Sequence, residues 1–326
     1  LAARQFAAGT ERDAARMLFD GRKVSLAGAV YAAATQTDNL DAHDGFNPVK
    51  GHIGVVAAPA LAALAETRPD LSGPEALAAM VIGYEVAGRA GLALHGTVSD
   101  YHTSGAWNAL GIVAMAARLR GQSGEVLREA FGIAEYHGPR SQMMREIANP
   151  TMLHDGSGWG GLAGISAMVL AEAGFTGAPA ITIEAPEAEA YWSDLGTVWQ
   201  TDQQYIKPYP ICRWAHAAID AARDLCRSHG VTASDIREIR VASFQNAVAL
   251  YPGMPETTSQ AQYSLPFAVA QMILHGRVGV EHITGDALRD PDAARLVGLV
   301  VMEADARHEA RFPEGRFGDV TFTLAD

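Results

Sequence analysis

Positive charge is scarce in this chain of 326 residues, where 25 lysines and arginines stand against 37 aspartates and glutamates for a formal net charge of −12. No lysine or arginine run offers a stripe for phosphates, which argues against a nucleic-acid partner, and an anionic ligand would need a local basic pocket. Cysteine is scarcer still. Cys212 and Cys226 are too few and too unpatterned for a disulfide framework or a structural zinc site, and they fit a reducing, cytoplasmic location. No apolar run approaches the roughly eighteen uncharged residues of a membrane span. The N-terminus also lacks a basic region followed by an apolar core, so no membrane partner is expected. The chain opens at Leu1 without a methionine, in mid-pattern, and is expected to be a piece of a longer protein.

What is present is apolar and small. A hydrophobic content of 48% is enough for a sizeable core, and the length suggests about two domains. Between two alanine-rich segments lies the densest polar stretch, residues 35–54, TQTDNLDAHDGFNPVKGHIG. Asp38, Asp41 and Asp44 recur every three residues, so a turn of helix would set them on one face, where like charges raise one another's pKa. Asp and Asn are also ordinary turn and N-cap residues. The whole group, with Lys50 and His52 just before a long apolar helix, reads as a site.

Along the chain, residues 1–34 look helical, with Thr10-Glu11-Arg12-Asp13 as a helix start. Helices follow over residues 53–66, with Pro59 implying a kink or a late start, and from the Ser72-Gly73-Pro74-Glu75 opening to about His95; Glu85 and Arg89 on the latter are spaced to pair. A second polar loop, residues 96–104, ends in YHTS before a helix over 105–119. His102 there would sit near the positive end of a helix dipole, which favours its neutral form. After a short helix at 123–133, Arg140 and Arg145 stand out as candidate carboxylate anchors. The glycines of GSGWGG, residues 156–161, suit close packing at the head of a helix over 162–173 rather than a phosphate loop.

Beyond Gly174 the composition shifts. Ile181-Thr182-Ile183 reads as β-like, and residues 205–216, YIKPYPICRWAH, hold Tyr209 extended between prolines directly after Lys207, a candidate lid or anchor. A helix over 215–229, a strand around 236–244, a helix over 262–275 and a strand over 317–324 follow. The expected fold is mainly α, with a helical part over 1–184 carrying the polar loops and a smaller α+β part over 185–326.

Several segments, in order, resemble the MmgE/PrpD proteins, which include 2-methylcitrate dehydratase, cis-aconitate decarboxylase and iminodisuccinate epimerase. They are LDAHD with HIG at residues 40–54, then APALAALAE, GYEVAGRAG, YHTSG, GWGGLAGISAMVLAEAGFTGAP and, most distinctive, IKPYPICRWAHAAIDA. The resemblance implies a helical bundle domain followed by a smaller α+β lid domain, a homodimer, an active site in the cleft between the domains and no cofactor or metal. In that picture Asp41, Asp44 and His52 come from the first polar loop, His102 from the second and Lys207 from the lid side. Two departures stand out: His43 replaces an acid of the family's LDxDD, and PTMLHDG at 150–156 has His154 but no lysine.

The family's reactions share the making or quenching of carbanion character beside a carboxylate, which needs an acid, a base and cations for the carboxylates. The expected roles are His52 and His102 as the acid/base pair, Asp41 and Asp44 as residues that orient and tune them, and Lys207 with Arg140 or Arg145 as anchors. Lys50, His154 and Tyr209 complete the expected substrate-binding set. The substrate is then a small anionic di- or tricarboxylate. Dehydration of a 2-methylcitrate-like substrate stands first, epimerisation of an imino- or amino-dicarboxylate second and cis-aconitate-type decarboxylation third. Two rivals differ in kind: a metal centre built from Asp41, His43, Asp44 and His52, and a non-catalytic carboxylate-binding protein.

Overall fold

The computed structural model describes residues 2–9 and 13–325. In chain order its helices are α1 Ala2–Ala8, α2 Leu26–Leu40, α3 Gly54–Glu66, α4 Gly73–Thr97, α5 Gly105–Arg120, α6 Gly124–His137, α7 Met144–Ala148, α8 Ser157–Glu172, α9 Ile181–Glu184, α10 His216–His229, α11 Gln245–Val248, α12 Thr258–Gln262, α13 Leu265–His275, α14 Pro291–Val297 and α15 Ala306–Glu309. The strands are β1 Ala14–Arg16, β2 Lys23–Ser25, β3 Asp44–Gly45, β4 Tyr205–Ile206, β5 Ile236–Ser243, β6 Val300–Ala304 and β7 Gly318–Leu324. The fold is mainly α, a helical domain followed by a smaller α+β domain, as the sequence led us to expect.

The chain divides into two compact units. The first takes the segment up to Asp38, His43–Met143 and Asp155–Ile206; the second takes Asn39–Ala42, Met144–His154 and the chain from Lys207 onward.

In the first unit, α5 is the central rod. All but two of its residues are buried, because small residues let α4 and α8 close on it from different sides. The α8 contact is tight: a Cβ on Gly164 would lie 2.6 Å from the Ala109 carbonyl oxygen of α5 and 2.8 Å from the Ile112 Cβ. Pro59 sits inside α3 without ending it. α4 is long and apolar enough to cross a membrane, but 56% of its apolar window is buried in the protein. It also carries Glu85 and Arg89, paired at 3.4 Å with both side chains almost fully enclosed. The Arg89 guanidinium donates to the carbonyls of Tyr191 and Val198, each at 2.7 Å, and Glu85 accepts from the Thr201 N–H and hydroxyl. This buried pair is what holds residues 191–201 on the helical unit.

Three local expectations change. Within residues 1–34, β1 and β2 form an antiparallel hairpin between α1 and α2; of the expected helix start, Thr10, Glu11 and Arg12 lie outside the described residues. Ile181-Thr182-Ile183 is the start of α9 and not a strand, because the Glu135 carboxylate accepts from the N–H groups of Ile181 and Thr182 and so supplies the cap a helical turn needs. The three aspartates do not share a helix face: α2 ends at Leu40, Asp41 is left-handed (φ 52°) and Asp44 is in β3.

In the second unit, β5 is the middle strand of the order β6-β5-β7, parallel to β6 and antiparallel to β7. A bulge between Ile236 and Glu238 resets the alternation. Ile236, Ile239 and Val241 are therefore all buried, although the first two are three apart. Strand β6 was not foreseen, since its residues are mostly exposed and it has no apolar alternation. Residues 39–42 join this unit through Asn39, which donates to the Met152 carbonyl (2.9 Å) while its own carbonyl accepts from Gln262 (2.8 Å).

Gly164→Ala is expected to lower the unfolding free energy by about 1–3 kcal/mol through overpacking against α5, measured by denaturant titration. Unchanged stability would show that α8 can retreat from α5 at no cost.

Candidate active site

In the first unit, the local fold around Asp44 places two imidazoles. Residues 44–45 pair with Tyr205–Ile206, and Phe46 bridges Gly51, closing residues 46–51 into a tight loop with Lys50 in the left-handed region (φ 55°). The Asp44 carboxylate accepts from the Gly54 N–H at the start of α3 (2.8 Å), where the helix dipole welcomes an anion. The Tyr84 hydroxyl bonds to the same carboxylate, and burial with this anion pushes the phenol pKa up. The Asp44 carbonyl lies 2.5 Å from His52 Nδ1 and 3.0 Å from His43 Nδ1. A carbonyl can only accept, so both rings carry Nδ1–H and keep Nε2 as the basic atom when neutral. The two rings meet edge to face at 4.5 Å.

The second polar loop is stitched to the first. The Tyr101 hydroxyl donates to the Lys50 carbonyl, the Lys50 ammonium sits 4.6 Å over the Tyr101 ring, and the His52 N–H donates to Ser104 Oγ at 3.1 Å. Asn108, fully buried in α5, donates to the His52 carbonyl at 3.0 Å. His102 is tied through Nδ1 to the Asp100 carbonyl (2.9 Å), and its backbone N–H donates to His95 Nε2 (3.2 Å). Burial, then the charges of Lys50 and His102, push the His95 pKa down to about 4. His95 is therefore a neutral acceptor beside His102.

One group was not anticipated. Asp155 Oδ2 lies 3.6 Å from His52 Nε2 and accepts from Ser104 Oγ at 2.7 Å, and both the acid and Ser104 are buried. The signal in the sequence was a lone acid between His154 and the glycine-rich head of α8, a place where the missing lysine drew attention instead.

In the second unit, Asp41 pairs with Lys207, and both are buried. Asp38, the remaining acid of the triplet, accepts from the Ser157 N–H at the head of α8 in the first unit (3.0 Å). Each of the three acids has its own partner, which is how the chain avoids the repulsion their spacing suggested. Burial first, then the charges of Lys207, Arg213 and Arg316, hold the His216 pKa well below its ordinary value. Burial likewise pushes the Cys212 thiol up to about 12.

The other expected residues are distributed. His154 is buried in the second unit, 5.5 Å from the Tyr263 ring, in a loop held by Glu146, which accepts from the N–H groups of Thr151 and His154. Tyr209 donates to Asp220 at 2.8 Å, and burial with that carboxylate raises its pKa to about 12. Arg140 of the first unit and Arg145 of the second are exposed. The structure thus brings together Lys50, His52, Asp44 and the His102 loop in one unit, and Asp41 with Lys207 in the other. A cavity of about 730 Å³ among Phe6, Lys23, Leu26, Ile165 and Val169 holds none of these groups. The polar loops are the better site, since they combine anchored titratable groups with buried charge.

The protein is thus a helical unit whose loops present three backbone-anchored histidines, His43, His52 and His102, followed by an α+β unit with a buried lysine. The MmgE/PrpD N-terminal domain matches residues 1–191 and the MmgE/PrpD C-terminal domain matches residues 209–326. The chain belongs to the MmgE/PrpD family. A curated relative, human cis-aconitate decarboxylase, is 26% identical over 297 residues, covering 84% of this chain and 61% of the relative. The chain therefore spans about six tenths of that protein's length.

Two predictions follow from the buried charges. Lys207→Met or Asp41→Asn alone is expected to cost about 3–5 kcal/mol of stability, because each strands a buried charge, and the double variant less than the sum; an additive double-mutant cycle would dissolve the pair. His95 is neutral in the folded state and protonates more readily unfolded, so between pH 6.5 and about 4 the unfolded chain binds the extra proton and stability falls as pH falls. His95→Gln is expected to make the loss of melting temperature over that window shallower than in the wild type.

Proposed function

We propose that the protein is a cofactor-independent lyase acting on a small di- or tricarboxylate by proton transfer at a carbon beside a carboxylate. The observation that carries this reading is the paired anchoring of His52 and His102. Each has Nδ1 held by a backbone carbonyl and so offers Nε2, in two loops tied by the Tyr101 and Ser104 hydrogen bonds. One imidazole takes the proton from the acidic carbon while the other protonates the departing hydroxyl, which leaves as water as the double bond forms. Lys207 supplies positive charge for a substrate carboxylate in a chain otherwise short of it.

Dehydration of a 2-methylcitrate-like substrate is the principal reading. Decarboxylation, the activity the human relative is named for, is an alternative; there the C–C bond breaks, CO₂ leaves and an imidazolium protonates the carbon. Epimerisation is a third, since two histidines exchange a proton at one carbon without needing a group to stabilise a leaving hydroxyl.

Proton NMR in deuterated water with 2-methylcitrate, citrate, cis-aconitate and iminodisuccinate separates them. Loss of water with a new vinylic signal is expected; loss of CO₂ selects the decarboxylase, and deuterium entering an unchanged skeleton selects the epimerase. On whichever substrate turns over, His52→Ala and His102→Ala should each lower the rate by about 10² to 10⁴. Near wild-type turnover in both variants sinks the acid/base assignment.

A further inference from the structure

Asp155 is the buried acid that the proposed reaction does not use. Its carboxylate reaches His52 Nε2 at 3.6 Å, on the ring edge opposite the Asp44 carbonyl, and its Oδ2 is held by the Ser104 hydroxyl at 2.7 Å. Its own backbone carbonyl accepts from the Gly105 N–H at the head of α5 (3.0 Å). The same serine accepts from the His52 N–H, so the acid, the serine and the histidine close a ring of contacts across residues 52, 104 and 155.

The His52 ring therefore has an acceptor at each nitrogen, a carbonyl at Nδ1 and a carboxylate at Nε2, an environment that suits the ring carrying both protons. His43 also meets the ring edge-on at 4.5 Å, and the Asp44 carboxylate is directed to the Gly54 N–H and the Tyr84 hydroxyl. His102 differs: its Nδ1 is on a carbonyl and its nearest described ring, stacked at 6.3 Å, is the neutral His95. His52 thus has a carboxylate set against Nε2.

We propose that Asp155, oriented by Ser104, is a positioning residue that pairs with the His52 ring through Nε2 and sets when that ring carries its second proton. This rests on the reading of His52 as one of the two acid/base groups. The carboxylate acts through His52: it lies against Nε2, the nitrogen that also exchanges the substrate proton, and makes the imidazolium the favoured partner, so the pair holds and releases a proton as a unit.

The test is an NMR titration of ring-labelled histidines, with the His52 signal assigned by its loss in His52→Gln. In Asp155→Asn, with the fold intact by circular dichroism, the His52 midpoint is expected to fall by roughly 0.5 pH unit or more, and Asp155→Glu to restore part of the shift. On a substrate that turns over, the pH–rate profile should move in the same direction, a change that a merely structural role for Asp155 does not produce. A midpoint unmoved in the folded Asp155→Asn protein overturns the proposal. Should that variant fail to fold, the wild type carries the test: the ¹³Cγ resonance of Asp155 must step at the pH at which the His52 ring titrates, and two unrelated midpoints overturn it equally. If the midpoint moves but His52→Gln retains full turnover, the pairing stands and the catalytic reading of His52 falls.

Discussion

The arrangement of the first unit's polar groups depends on one residue, Asp44, used twice. Its carboxylate closes the N-terminus of α3 and receives the Tyr84 hydroxyl, and its backbone carbonyl receives Nδ1 of both His43 and His52. The carboxylate is therefore spent on structure and the carbonyl on orientation. A methyl at Gly54 would fall 2.1 Å from the Tyr84 oxygen and 3.0 Å from the Asp44 Cγ, so the absence of a side chain there is part of the same device. Fixing an imidazole by a backbone carbonyl has an advantage over fixing it by an acid: the carbonyl cannot titrate, so the tautomer is the same at any pH the fold survives.

A net charge of −12 makes the local handling of acids the recurring problem of this chain. Asp38 and Asp44 solve it with helix N-termini, Asp41 with a lysine, Glu85 with an arginine, and Glu135 and Glu146 with backbone N–H groups of short turns. The lysine of the α+β unit, Lys207, is buried and held by one of these acids, Asp41.

Much of this was legible in the residues. Serine and glycine before Pro74 marked the start of α4, the small residues of α5 and α8 marked a close-packed pair, and the alternation of Val320, Phe322 and Leu324 marked an edge of the sheet. The polar loops declared themselves by crowding His52, His102 and the acids between apolar helices. What the sequence hid was set by partners far along the chain: α9 is a helical turn because Glu135 caps it, and Asp41 is a lysine's counterion because residue 207 lies 166 positions later. Asp155 was passed over because a single acid beside a glycine-rich turn has an ordinary local explanation, and only its approach to His52 and Ser104 gives it another.

The division of the chain carries its own consequence. The second unit is not a contiguous stretch: residues 39–42 and 144–154 belong to it, and the chain passes from one unit to the other at 38/39, 42/43, 143/144, 154/155 and 206/207. As the ribosome delivers the chain from its N-terminus, the helical unit has all of its residues once Ile206 has emerged. The Asn39, Asp41 and Met152 segments must wait, with Asp41 uncompensated, until Lys207 and Gln262 are made. A gene fragment ending at Ile206 would therefore carry two segments of the second unit, residues 39–42 and 144–154, without the rest of it.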